Sequence, residues 1–236
     1  MPTVFPSSTP SARAIASAAL ALALCMTNGT CAAQATSRTC PPDAGAGDSP
    51  GPACLLIRTA IGPLAAGTVY WGIYTYPTAD AAQRARTGHG TVVAAFGRTW
   101  LFTLGPRGTR LAGGQHVADV GPIPVDAGNA YAAEYLKSTF SPGMTAPVHV
   151  HSGPEAFYAV SGDTCLETPD GVQLGRGPGN SLVVRRGPPM LLMAIGTDTR
   201  RGFALILHDG ALPPTTLVHD WTPPGGCARA LQDAAP

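Results

Sequence analysis

From Ala146 onward the chain is one short apolar run after another: APVHVHS, EAFYAVSG, GVQL, NSLVVRR, PMLLMAIG and GFALILHDG, each bounded by Gly, Pro, Asn or Asp. Runs of this length at spacings of roughly 8 to 12 residues are too short for core helices and suit an antiparallel sandwich or barrel. No period of about 20 to 50 residues repeats, which disfavours a solenoid or propeller. The 29 glycines and 24 prolines recur between the runs and form no single block, so they read as turns. The fold class expected is therefore all-β.

Upstream, CLLIRTAI, GTVYWGIYTY, TVVAAFGRTWLFTL and HVADVGPIPV also read as strands. In GTVYWGIYTY, alternation places Tyr70, Tyr74 and Tyr76 on one face and Trp71 on the other. TADAAQRART has helix-forming composition, with Thr78 or Asp80 as N-cap, and AGNAYAAEYLKS, around Ala127 to Ser138, reads as a second short helix or turn.

The N-terminus combines Arg13, the apolar run AIASAALALALCM and small residues after it, the pattern of a secretory signal over residues 1–35. Cleavage is expected after Ala33 or Ala35, and no later stretch approaches the roughly 20 apolar residues of a membrane span. Export to the periplasm or the extracellular space follows. Cys40, Cys54, Cys165 and Cys227 would remain, an even number in an oxidising compartment, so one or two disulfides are expected with the pairing open. Residues 36–53, rich in Pro, Gly, Asp and Ser, read as a flexible linker, 54–137 as a β-rich extension or a degenerate second barrel, and 213–236 as a tail reaching Cys227. With 15 Lys and Arg against 14 Asp and Glu, no long-range field favours nucleic acid as a partner.

Within PVHVHSGPEAFYAVSG, His149 and His151 sit two apart, so in a strand they share a face with Cα atoms about 7 Å apart. The turn residues Ser152 to Pro154 then bring Glu155 into the next strand. Two imidazoles and a carboxylate make a metal-ligand set with positions left open. Taken alone, the triplet reads equally well as two surface histidines and an unrelated acid.

The surrounding glycines extend the pattern: Gly143, five residues, His149, one residue, His151, three residues, Glu155, six residues, Gly162. This resembles the first signature of the cupin superfamily at every defined position. The resemblance covers Ser138 to Leu212 and implies a cupin-like antiparallel jelly-roll barrel with His149, His151 and Glu155 holding a divalent transition metal inside it: iron, copper, manganese or zinc. It also implies a homodimer as the default assembly.

The family's second signature is only partly matched. Gly179 and Gly187 are correctly spaced, but Arg185 stands at its proline, Met190 at its metal-binding histidine and Ala194 at its asparagine. The centre then works with three ligands, gains Met190 as a thioether ligand, or has lost its metal. His208 offers a further donor if PMLLMAIG and GFALILHDG form a hairpin that pairs Ile195 with Phe203 and sets His208 opposite Met190. Arg185, at a strand end, is a candidate contact for a substrate anion. The function expected is a metal-dependent, oxygenase-like oxidoreductase acting on a small organic molecule, with a non-catalytic metal- or ligand-binding protein as the alternative.

Overall fold

The computed structural model of the protein describes residues 38–41 and 51–234, together with residue 1. The expected secretory signal, both cleavage positions and most of the Pro/Gly-rich segment lie outside the described residues. No helix among the described residues is long and apolar enough to cross a membrane.

Fourteen strands and two short helices follow one another: β1 (Gly51–Pro63), β2 (Gly67–Tyr76), α1 (Ala79–Ala85), β3 (Thr91–Ala95), β4 (Arg98–Gly105), β5 (Gln115–Val125), β6 (Ala130–Phe140), β7 (His149–His151), β8 (Glu155–Ser161), β9 (Asp163–Thr168), β10 (Gly171–Gly175), β11 (Ser181–Val184), β12 (Leu191–Ile195), β13 (Arg200–Asp209), β14 (Thr215–Leu217) and α2 (Gly226–Gln232). One sheet runs β1-β6-β13-β8-β11. A second runs β10-β9-β12, and the bridges Thr145–Met193 and His149–Met190 extend it to the β7–β14 pair. Numbering β6 to β13 as one to eight, the two sheets read 1-8-3-6 and 2-7-4-5. That alternation of successive strands between facing sheets is a jelly roll, as expected.

The four strands β3-β4-β2-β5 form a third sheet, which packs on the outer face of the first. Trp71, Trp100 and Phe102 meet Tyr135 and Phe203 there, with Phe203 about 5 Å, centroid to centroid, from both Trp100 and Phe102. Alternation in β2 works as its sequence suggests: Trp71 and Ile73 enter this core, while Tyr74 and Tyr76 turn to the opposite face, against Ala82 of α1. Thr78 caps α1, its hydroxyl accepting from the Ala81 amide at 3.1 Å.

Residues 130–138, expected as helix or turn, are instead strand. Their Ala, Glu, Leu and Lys content favours helix locally, but β6 lies between β1 and β13 and forms ladder hydrogen bonds on both edges. Satisfying two rows of backbone groups outweighs a propensity of a few tenths of a kcal/mol per residue.

Two disulfides are present. Cys40–Cys54 ties segment 38–41 to β1, and Cys165–Cys227 ties α2 to β9. Glu167 on β9 also accepts from the amides of Gly226 and Cys227 at 2.7 and 3.1 Å, capping α2 over the second sheet. A Cys165→Ser/Cys227→Ser variant loses a cross-link worth about 2–4 kcal/mol, so its thermal midpoint should fall by about 5–15 °C. An unchanged midpoint in a calorimetric scan would show that α2 docks without it.

Candidate metal centre

The site is built where the chain crosses between the two jelly-roll sheets. His149 and His151 stand on β7, a three-residue strand held by β14 on one side and by Met190 on the other. Glu155 opens β8 in the facing sheet, between Val184 of β11 and Ile206 of β13. The turn joining them passes so close to β13 that a Cβ on Gly153 would lie 2.0 Å from the Leu207 carbonyl oxygen. Only glycine fits, and the turn is further held by the Leu207 amide donating to the Pro154 carbonyl at 3.0 Å. Gly162, at the far end of β8, takes a left-handed φ of 73° at the turn into β9.

All three side chains are buried, and their ligand atoms lie within 4.8 Å of one another. His149 Nδ1 lies 2.5 Å from the Pro147 carbonyl oxygen and His151 Nδ1 lies 2.8 Å from that of Pro214. A carbonyl only accepts, so each Nδ1 carries the hydrogen, and in the neutral rings both Nε2 atoms present lone pairs. Those two atoms sit 2.9 Å apart, and Glu155 Oε2 is 2.9 Å from His151 Nε2. Although Oε2 touches that nitrogen, it has no partner in hydrogen-bond geometry. Three electron-rich atoms face one point, where a proton or a metal ion can satisfy them together. A metal ion fits this donor set, since backbone bonds to the far nitrogen are how metal-binding imidazoles are oriented.

The charges set opposite proton affinities on the pair. Burial, and then the neighbouring His151, push the His149 pKa below its ordinary value. Burial pushes His151 down as well, but Glu155, the Pro214 carbonyl and Glu134 outweigh it and leave that pKa raised. Without metal, a proton entering the pair therefore goes to His151.

The other expected site residues are placed as follows. Met190 bridges His149 directly and is buried in the apolar cluster with Phe140, Phe157 and Leu166. The expected hairpin does not form: β12 pairs with β9 and β13 with β6 and β8, because successive jelly-roll strands cross between sheets. His208 stands opposite Ala132, outside the three-residue group, with Nδ1 2.8 Å from the Asp209 carbonyl oxygen and a buried, unpartnered Nε2. Arg185 does not reach the cavity; it is exposed and pairs with Asp170 at 2.9 Å.

Three residues were not singled out by sequence spacing. Glu134 is fully buried, takes Arg58 on Oε1 and leaves Oε2 unpartnered. Ser138 lines the cavity of about 300 Å³ beside the ligand group, and Arg200 donates to it from within the barrel. A larger hollow of about 710 Å³ lies on β2–β4, away from the ligand group.

The jelly-roll order and a buried two-imidazole, one-carboxylate group at the sheet crossing now stand together. The fold is cupin-like. No family model matches the chain, and no curated protein matches it. Among solved structures it is similar to a cupin-like protein from Thermotoga maritima, at 13% identity and a TM-score of 0.37, over 42% of this chain and 74% of that one. It is similar to a cupin superfamily protein from Desulfitobacterium hafniense, at 11% identity and a TM-score of 0.30, over 37% of this chain and 74% of that one. An oxalate decarboxylase matches at 19% identity and a TM-score of 0.32, over 38% of this chain but only 24% of its own length. The fold rests on this chain's own strand pairing.

A metal on the His151 Nε2 competes with a proton for the same lone pair, and the raised pKa strengthens that competition. Apparent zinc affinity should therefore fall as pH falls through the raised His151 pKa, by about tenfold per pH unit below it. Calorimetry between about pH 6 and 8 in buffers of different ionisation heat should read proton release on binding. An affinity independent of pH, with no proton released, would contradict the proton assignment.

Proposed function

We propose that the chain is an exported metalloprotein whose His149, His151 and Glu155 hold a divalent transition metal, and that it acts as an oxygenase-like oxidoreductase on a small organic molecule. The observation that carries this reading is the pair of Nε2 atoms locked face to face by the Pro147 and Pro214 carbonyls, with a buried carboxylate beside them. Burying three such groups with no cation between them would cost several kcal/mol. Two disulfides support a destination in an oxidising compartment.

A bound metal would supply Lewis acidity and, if redox-active, a route for electrons to dioxygen. The chain's own residues supply the rest. The proline carbonyls keep each imidazole in the ligating tautomer, and Thr215 Oγ1, 3.2 Å from His151 Nδ1, adds to the hold on that ring. Phe140, Phe157 and Leu192 make the cavity wall apolar, which excludes bulk water and strengthens every charge interaction inside.

One observation favours a non-catalytic binding protein instead: Met190, and no third imidazole, stands opposite His149. Thioether is a weak, soft donor, so such a centre would select copper.

Elemental analysis of chelator-free protein should find about one transition metal per chain, and His149→Ala/His151→Ala should lower its affinity more than about a hundredfold. Folded wild-type protein that takes up none of iron, copper, manganese or zinc would sink the metal reading. Oxygen uptake by the loaded protein over a panel of small organic substrates separates enzyme from binder.

A further inference from the structure

Arg200, at the start of β13, is completely buried, and its partners are all neutral. Nε donates to Thr164 Oγ1 at 2.8 Å and Nη1 to Ser138 Oγ at 3.0 Å, while Nη2 has no partner. Among the described residues no carboxylate lies within ion-pair distance of it. Burial lowers its pKa to about 10, with Glu155 offsetting part of the shift, so the guanidinium stays cationic at neutral pH. A buried charge with no acid in ion-pair contact is expensive to keep, and a further anion close by would offset the cost.

The guanidinium is aimed along the inner face of β13. A Cβ on Gly202 would lie 3.0 Å from Nη2, so the glycine provides the room the group occupies. Gly202 pairs with Ser138, and both Ser138 and the next inward residue of β13, Ala204, line the cavity that holds His149, His151 and Glu155. Ser138 Oγ accepts from Arg200 and gives its own hydrogen to no described residue. A hydroxyl has one hydrogen, so this one is left to donate, and the cation behind it strengthens the donation. Apart from the ligand group, the hydroxyls of Ser138, Thr145 and Thr215 and the cationic residues Lys137 and Arg38, the last at the exposed rim, the wall is mainly apolar, with Leu136, Phe140, Phe157 and Leu192.

We infer that Ser138 is the anchor for the carboxylate of a small organic acid with an apolar body, and that Arg200 is the positioning residue that makes Ser138 a donor. The inference rests on the reading of this cavity as the substrate chamber of the metal centre.

The test is calorimetric titration of the full chain, zinc-loaded and metal-free, with benzoate and with its neutral isostere benzamide. Benzoate should bind about tenfold or more tighter than benzamide in both forms. Ser138→Ala should weaken benzoate about tenfold and benzamide by less than about twofold, Ser138→Thr should restore the preference, and Arg200→Lys should reduce it. A fold defect would weaken both ligands alike, so the preference isolates the anchor. Zinc uptake by Ser138→Ala should match wild type. Absence of benzoate binding, equal binding of the two ligands, or a preference that survives Ser138→Ala overturns the inference even if zinc loads normally. Failure to load zinc with the benzoate preference intact and dependent on Ser138 overturns the metal reading and leaves the anchor standing.

Discussion

Strand β13 is buried on both faces, and the molecule is organised around that constraint. Phe203, Leu205 and Leu207 point into the core shared with the β2–β5 sheet. The alternating residues Arg200, Ala204, Ile206 and His208 point into the barrel. With β6 on one edge and β8 on the other, β13 has no free backbone row and cannot slip by a residue without sending its polar set into the apolar core. The same backbone receives the close approach of Gly153, and so it sets where Glu155 enters the barrel.

The cost of the polar interior then explains its arrangement. In the neutral rings each imidazole gives its one hydrogen to a proline carbonyl, so the opposite nitrogens face each other and the Glu155 carboxylate across a gap that a proton or a metal ion fills. Arg200 repeats the logic with the sign reversed: a cation deep in the barrel, bonded to two hydroxyls and to no acid. One buried group wants a cation and the other an anion, and both border a single cavity, directly or through Ser138. The proposed metal ion and organic acid would answer these demands together.

Much of the ligand group is legible in the chain because it is local. His149, His151 and Glu155 fall within seven residues, and strand alternation plus one turn is enough to bring them together. Alternation likewise separates Trp71 from Tyr74 and Tyr76. What could not be read depends on distant pairing. Ser138 and Arg200 are 62 residues apart and meet only through the β6–β13 register. The His208 hairpin failed because the jelly roll sends β12 and β13 to opposite sheets, which local turn residues do not reveal. Residues 130–138 carry helix-forming side chains, yet two neighbouring strands made the segment β.

The central claim is that the two locked imidazoles bind one ion together. X-ray absorption on protein loaded with its native metal reads that directly, by comparing wild type with His149→Ala. The account predicts a shell of nitrogen and oxygen donors containing two imidazoles, falling to one in the variant. A shell without imidazole scattering, or a folded protein that takes up no metal, contradicts it.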